Sequence, residues 1–313
     1  MKHFVFGTQP KYDRIVQAFA ETIDHTYFPA TKRVDQWEES EWIGFDQEQW
    51  IKDKNPIVVC GILRGTAKLL KLARLHKIPY YFIDHAYFYR GHDIDPTFGD
   101  TFYRVVKNNE YLFGMTQLQG HTNVIERNIK LLSKKHIRMN LDKYYNNFDG
   151  KYILVFPPSE HLCKYWNIES VEYWIEQVKK NILTGTDREI IVSTKNDSKK
   201  YQDYFPDTHC MVSFTSTAPI EGLLLGIPSI CWSLSMLSPV SWNYELYTEI
   251  EKIRTFDYRG HRKNRGLAIA AWRDHLLANQ FTLSEMKSGY AKETVDKLQK
   301  GLHIYLPKNY QKV

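Results

Sequence analysis

Three places along the chain pair an apolar run with short hydroxyls, and they set what chemistry the protein could do. The stretch from Cys210 to Cys231 reads as a strand through Met211, Val212 and Phe214, a turn of Thr215, Ser216 and Thr217, and a short helix. Pro219 opens that helix, Gly226 and Pro228 close it, and a second strand follows. Ser and Thr supply N-cap oxygens, and proline fits a first helical turn, whose N–H has no partner to lose. A corner of this kind leaves backbone N–H groups and the positive end of a helix dipole at the carboxyl edge of a sheet, a seat for phosphate. Ser159 and His161 follow a strand at residues 152 to 156, and Thr194 and Lys195 follow one ending at Ser193. Short hydroxyl donors, backbone donors and one cation are what a diphosphate needs. The same stretch also fits an ordinary βαβ corner that binds nothing.

A second group lies upstream. Tyr80 to Asp84 reads as a strand, which puts Asp84 and His85 at its carboxyl end, where ligands bind in open α/β sheets. A carboxylate or an imidazole there could take a proton from a hydroxyl. The plain alternatives are a strand-end cap for Asp84 and a structural role for His85. Asp93 and Asp95, in the loop after Gly91, are rival bases. Arg104, inside the next apolar strand, is costly to bury alone, so it either pairs with Asp84 or meets an anion.

The elements that must position these groups alternate. His3 to Phe6 is a first strand, followed by a helix with Ile15, Phe19 and Ile23 on one face. Residues 26 to 54 are aromatic and acidic and show no clear period. Pro56 to Cys60 is a strand, 67 to 76 a helix, 78 to 84 a strand, and the alternation predicts a parallel sheet. Phe102 to Val106 is another strand. Residues 120 to 150 are polar and basic and end at Asp149-Gly150, taken as a domain boundary. The second half repeats the plan: strands at 152 to 156, 189 to 193, 210 to 214 and 229 to 232, a helix carrying Val171, Trp174, Ile175, Val178 and Ile182, and a polar helix ending at Tyr204. The expected organisation is two Rossmann-like α/β domains, residues 1–149 and 150–281, facing across a deep cleft. A helical tail, 282–313, carries Met286, Tyr290, Val295 and Leu298 and is expected to return to the first domain.

Composition narrows the classes. A chain of 313 residues with 43% hydrophobic and 14% aromatic content belongs to folded proteins, not to disordered ones. No apolar run approaches the about eighteen residues of a membrane span, and the N-terminus lacks a signal-peptide core, so a cytoplasmic location and no membrane partner are expected. The cysteines Cys60, Cys163, Cys210 and Cys231 stand singly, which points to buried free thiols and away from a metal site. Neither G-x-G-x-x-G nor G-x-x-x-x-G-K-[ST] occurs, which argues against a dehydrogenase and a P-loop ATPase. The net charge of +6 is modest. Arg127, Lys130, Lys134, Lys135, Arg138 and Lys143 crowd one segment, and Arg254, Arg259, Arg262, Lys263 and Arg265 another. The two could line one basic cleft or be solvated surface.

The run Ser216-Thr-Ala-Pro-Ile-Glu221-Gly-Leu-Leu-Leu-Gly226-Ile-Pro228 resembles the donor-binding signature of GT-B glycosyltransferases. The resemblance implies that Ser216 and Thr217 meet the diphosphate of a nucleotide sugar, that Glu221 accepts from a ribose or sugar hydroxyl, and that no metal is required. The motif at Ile83-Asp84-His85-Ala-Tyr87-Phe88, the Tyr103-Arg104-Val105 strand and the segment from Asn279 to Gly289 resemble phage-encoded glycosyltransferases. Some of that group glycosylate hydroxymethylated pyrimidines in DNA. This implies a hexose, glucose from UDP-glucose, transferred to a base such as 5-hydroxymethyluracil in duplex phage DNA, in the bacterial host cytoplasm. Transfer to a polysaccharide or a small molecule, or non-catalytic nucleotide or DNA binding, are the alternative readings.

Overall fold

The computed structural model describes residues 1–31, 41–62, 65–88, 101–110, 118, 120–133, 137, 139–182, 184–194, 197–232, 234–243, 250–254 and 262–299, without the side chains of 10, 11 and 262–264. Asp93, Asp95, Lys134, Lys135, Arg138, Lys195 and Arg259 lie outside the described residues, as do the side chains of Arg262 and Lys263. The chain divides into two compact units. Among the described residues, one gathers Met1–Glu110, the chain from Leu118 to Asn128, and the chain from His275 to Gln299, and the other holds Ile129–Asp274.

The first unit is built on a six-stranded sheet. Its strands are β1 (His3–Phe6), β2 (His25–Phe28), β3 (Ile57–Cys60), β4 (Tyr80–His85), β5 (Phe102–Lys107) and β11 (Gln280–Thr282), in the order β11-β5-β4-β3-β1-β2. The first four are parallel, and β5 runs antiparallel to β4, with Asp84 opposite Arg104. β11 is antiparallel to β5 and places Gln280 opposite Arg104. The sheet is therefore mixed, where the β-α-β alternation predicted a parallel one. A period of alternating elements reports crossovers but is silent about a strand that returns by a loop.

Helix α1 (Pro10–Ala20) lays Ile15, Val16 and Phe19 on one face of this sheet, against Val5, Val58, Tyr81 and Ile83. The unplaced aromatic stretch supplies a cluster. Phe6 packs edge-on to Trp42 and Phe45 at 5.0 and 4.9 Å, and Phe45 reaches Trp50 on α2 (Gln47–Asp53). α3 (Thr66–Leu75) joins β3 to β4, and α4 (Thr122–Leu132) follows β5. After α8 (Arg262–Ala278), the tail forms α9 (Leu283–Lys287) and α10 (Tyr290–Gln299). Met286, Ala291 and Val295 are buried in the same core as α1, which shows how the tail's apolar stripe is spent. Arg127 on α4 holds this return in place. It pairs with Glu285 through two N–H groups and donates to the carbonyls of Leu277 and Gln280.

The second unit has a five-stranded parallel sheet. β6 (Tyr152–Phe156), β7 (Glu189–Val192), β8 (Thr208–Ser213), β9 (Ser229–Cys231) and β10 (Trp242–Asn243) lie in the order β10-β9-β8-β6-β7. α5 (Glu160–Trp166) and α6 (Val171–Asn181) lie between β6 and β7, and α7 (Pro219–Leu224) joins β8 to β9. The expected polar helix before β8 is a 3-10 helix, Tyr201–Asp207, with Pro206 inside it. Proline removes an N–H that an α-helix would need there. Part of the polar segment before β6 packs under α7: Asn140 N–H donates to the Leu224 carbonyl and Tyr144 N–H to that of Leu225. The turn at Gly226 has φ +89°, and a Cβ there would strike the Leu141 carbonyl. All four cysteines are buried, and none is in a disulfide.

Candidate functional site

Within the second unit the first strand, β6, lies between the second, β7, and the third, β8. Successive connections therefore leave β6 in opposite directions, and their loops part at the carboxyl edge between β6 and β8. A doubly wound sheet forms its ligand crevice at this switch point. Two of the three predicted loops flank it: Ser159 and His161 follow β6, and Thr215, Ser216 and Thr217 follow β8.

The hydroxyls there are not equivalent. Ser159 caps α5, accepting from Leu162 N–H at 3.4 Å. His161, in the first turn of α5, is half-buried. Thr194, after β7, donates its hydroxyl to Asp197 Oδ1 and its N–H to Asp197 Oδ2, both at 2.7 Å, and those bonds hold the Asp197 carboxyl below its usual range. The N-cap position of α7 is Ala218, not one of the three preceding hydroxyl residues, and it makes no side-chain cap. Ser216 Oγ instead accepts from Ala218 N–H at 3.2 Å, one residue early, while the Thr217 carbonyl accepts from Ile220 N–H. Glu221 sits in the first turn of α7, exposed, and accepts from Gln202 Nε2 at 3.1 Å.

Thr215 differs from these: it is 5% exposed and its Oγ1 has no hydrogen-bond partner. Ser213, the last residue of β8, is fully buried and its Oγ is equally without one. Burying a hydroxyl unpaired costs about 1–3 kcal/mol, so two at one switch point mark a place where a ligand would complete the bonding. Ser213 was not among the predicted residues. Its signal was a lone hydroxyl at the end of the otherwise apolar run Cys-Met-Val. Behind it Phe214 stacks on Trp232 at 4.4 Å, and Trp166 meets Trp232 edge-on at 4.8 Å. Trp232, read from the sequence as the last residue of the strand at 229 to 232, directly follows β9.

A cleft of about 610 Å³ at the opposite edge of this sheet is lined by Lys151, Gly185, Asp187, Arg188, Glu189 and Glu251. Arg188 fills its donors there with Glu251 and the carbonyls of Gly150 and Phe148. Open parallel sheets bind at the carboxyl edge, so the hydroxyl pair is the better candidate.

In the first unit β4 ends with Asp84 half-buried and His85 exposed. Arg104 Nη2 donates to Asp84 Oδ2 at 2.6 Å, and His85 N–H to Asp84 Oδ1 at 2.8 Å. The guanidinium also lies 5.6 Å from the Tyr87 ring centre, and burial drives the Tyr87 phenol far up from its usual pKa. Arg104 thus pairs with Asp84, one of the two fates that its buried position required. Both Asp84 oxygens carry a hydrogen bond. Beyond Arg104, Gln280 is fully buried, takes Phe88 N–H on Oε1 at 3.0 Å, and leaves Nε2 without a partner.

Two of the basic residues prove to be internal. Arg254 is 3% exposed and donates to the carbonyls of Tyr144, Tyr145, Thr208 and His209. Arg127 is spent on Glu285 and two carbonyls. Lys130 and Lys143 are exposed. Among the described residues no three His, Cys, Asp or Glu side chains gather as for a metal ion, and no helix is long and apolar enough to cross a membrane.

No family model and no curated protein matches this chain. Solved structures do. The β-Kdo 2,7 transferase of Thermosulfurimonas dismutans KpsC is 12% identical and superposes with a TM-score of 0.51 over 94% of this chain and 99% of its own. The β-Kdo 2,4 transferase of the same KpsC is 11% identical, covering 80% of this chain and 88% of its own with a TM-score of 0.39. UDP-GlcNAc 2-epimerase of Methanocaldococcus jannaschii, solved with UDP-GlcNAc and UDP, is 13% identical with a TM-score of 0.28 over 96% of this chain and 99% of its own. The first of these likenesses extends over nearly both whole chains and is one of fold. The chain has the GT-B fold, with two Rossmann-like α/β units.

Proposed function

We propose that the protein is a nucleotide-sugar-dependent glycosyltransferase. Its second unit holds the donor at the β6/β8 switch point and its first unit presents the acceptor. The observation that carries this reading is the pair of buried, unpartnered hydroxyls, Ser213 Oγ and Thr215 Oγ1, at the edge where a doubly wound sheet binds ligands. Support comes also from the sugar-transferase name of the structure whose fold matches.

In this reading the two hydroxyls and backbone N–H groups of the loop after Phe214 donate to the donor diphosphate, with Ser216 and Thr217 beside it, and Lys195, which follows β7 in the sequence, is the proposed cation. Ser159, His161 and Thr194 bound the same edge, and Glu221, beside Gln202, accepts from a ribose or sugar hydroxyl. The acceptor hydroxyl gives up its proton as its oxygen bonds to the anomeric carbon. The bond from that carbon to the diphosphate oxygen breaks, and the electron pair leaves with the nucleoside diphosphate. Donors fixed in advance where that charge develops supply the rate. We take His85, exposed at the carboxyl end of β4, as the base. The Asp84–Arg104 pair then positions it. In this reading no metal is called for, because protein donors take the leaving charge.

For the finer assignment, the donor is UDP-glucose and the acceptor a 5-hydroxymethylpyrimidine of duplex DNA, as the short motifs imply. Lys130 and Lys143 remain as exposed cations for it, whereas Arg127 and Arg254 do not. The test is incubation of the protein with labelled UDP-glucose and other nucleotide sugars, against hydroxymethylated DNA, unmodified DNA and polysaccharide. Labelled sugar on the modified DNA alone is the expected result. Transfer to polysaccharide only would remove the DNA acceptor, and failure to bind or turn over any nucleotide sugar would remove the glycosyltransferase.

A further inference from the structure

The turn that carries His85 is held from both sides within the first unit. Among residues 80–88 His85 alone is exposed, and Ala86, Tyr87 and Phe88, which follow it, are buried. Before the turn, Asp84 Oδ1 accepts from His85 N–H while Oδ2 accepts from Arg104 Nη2. After it, Phe88 N–H donates to Gln280 Oε1 at 3.0 Å. Each anchor is a buried side chain of another strand, Arg104 of β5 and Gln280 of β11.

Strand register sets the two anchors side by side. Arg104 lies opposite Asp84 across β5 and β4, and Gln280 lies opposite Arg104 across β11 and β5. Directly opposed residues of antiparallel strands share a face of the sheet, so Asp84, Arg104 and Gln280 make one row. A carboxylate in place of the amide at 280 would compete with Asp84 for the guanidinium, whereas the amide accepts from Phe88 N–H without charge. Its Nε2 is buried with no partner, which is unfavourable. An apolar side chain would avoid that cost, so the acceptor for Phe88 is what Gln280 contributes. β11 is itself held, because the Gln280 carbonyl accepts from Arg127 Nη2, and Arg127 pairs with Glu285.

We infer that Gln280 is a positioning residue for His85: through Phe88 it fixes the turn 85–88 and so sets where the His85 ring stands. The support for the base then comes from the chain's return to the first unit, 192 residues beyond Phe88. This rests on the proposed function, in which His85 takes the proton of the acceptor hydroxyl, and deepens it by naming what holds that base.

Two variants remove the bond in different ways. Gln280→Met keeps the shape of the side chain without the acceptor, and Gln280→Asn keeps the amide but is too short to reach Phe88. Each is made in the full chain, alone and with His85→Ala, and its folding is checked by urea unfolding. Val16→Ala, a core change on α1, is the control for lost stability. With UDP-glucose and hydroxymethylated DNA, kcat should fall about ten-fold in either Gln280 variant while KM for the nucleotide sugar stays unchanged. In the His85→Ala background the same changes should cost nothing further, because a support has no effect once the ring is gone. A second readout needs no substrate. In the ¹³C-histidine-labelled chain, the His85 ring resonance, assigned by its loss in His85→Ala, should move in both Gln280 variants and stay in Val16→Ala. The inference is overturned by an unmoved His85 resonance in a folded Gln280 variant, or by a ten-fold loss that persists in the His85→Ala background. Absence of turnover by the wild-type protein with every nucleotide sugar removes the glycosyltransferase reading instead, and the resonance still decides for or against Gln280.

Discussion

Ser213 and Thr215 hold hydroxyls that no group of the protein meets, although both residues are buried. Removing such a hydroxyl without changing shape removes a cost. Thr215→Val should therefore leave stability unchanged or raise it by about 1 kcal/mol in urea unfolding. The same change should weaken nucleotide-sugar binding about ten-fold in calorimetry, the worth of one hydrogen bond to a charged group. A loss of both stability and affinity would mean that the hydroxyl is structural.

Two buried histidines behave in the opposite sense. Burial, aided at His209 by the charge of Arg188, lowers His209 and His275 to about 4 from the ordinary 6.5. Both are neutral when folded, so below pH 6.5 the unfolded chain binds more protons. The stability they allow is complete above the unfolded pKa and is lost as pH falls from 6.5 towards 4. The loss should be on the order of 2 kcal/mol for each, read as the urea midpoint at pH 7.5 against pH 5. His209→Gln should flatten that slope. These features were partly legible: the hydroxyl turn could be read from residue types, but which hydroxyl would be left without a partner could not, because that depends on every neighbour.

Among the elements, the return of the tail and the packing of the linker rest on single side chains. Glu285 closes a capping box with Thr282 at the start of α9 and also holds Arg127 of α4. Arg127→Leu should cost about 2–3 kcal/mol, because it strands a carboxylate and two carbonyls. It should leave the salt dependence of any DNA affinity unaltered, since the guanidinium is not available to phosphate. A reduced salt slope at full stability would instead make Arg127 a surface contact. Gly226→Ala should cost more than about 2 kcal/mol by the same measurement, combining left-handed backbone strain with a collision at the Leu141 carbonyl. From the sequence, Gly226 and Pro228 marked the end of a helix, and they do. Arg127 and Arg254 were read as cleft-lining charge or solvated surface and are neither, because a charge run carries no sign of whether its side chains turn inward.

For the whole molecule, the chain leaves the first unit and comes back. Helix α8 carries the passage, its residues up to Asp274 belonging to one unit and those from His275 to the other. A fragment ending at residue 149 would lack β11, α9 and α10, whose Phe281, Met286 and Val295 are part of the first unit's core. It should fail to fold cooperatively in a denaturant titration, and supplying the segment from 275 onward should restore the transition. A fragment that folds alone would make the tail an accessory.

The sequence by itself determined much of the element plan: apolar runs marked the parallel strands except β2 and β10, proline and glycine marked the ends of α7, and the period of three and four marked α1, α6 and the tail's buried stripe, while α2, α4 and α5 went unread. These are properties of a few residues in a row. Tertiary structure alone decided the antiparallel arrival of β5 and β11, the pairing of Arg104 with Asp84, and the enclosure of Arg127 and Arg254. It also decided the strand order that places β6 beside β8, and with it the unpartnered hydroxyls of Ser213 and Thr215. Strand order and hydrogen-bond satisfaction are sums over residues distant in the chain, so no local pattern encodes them.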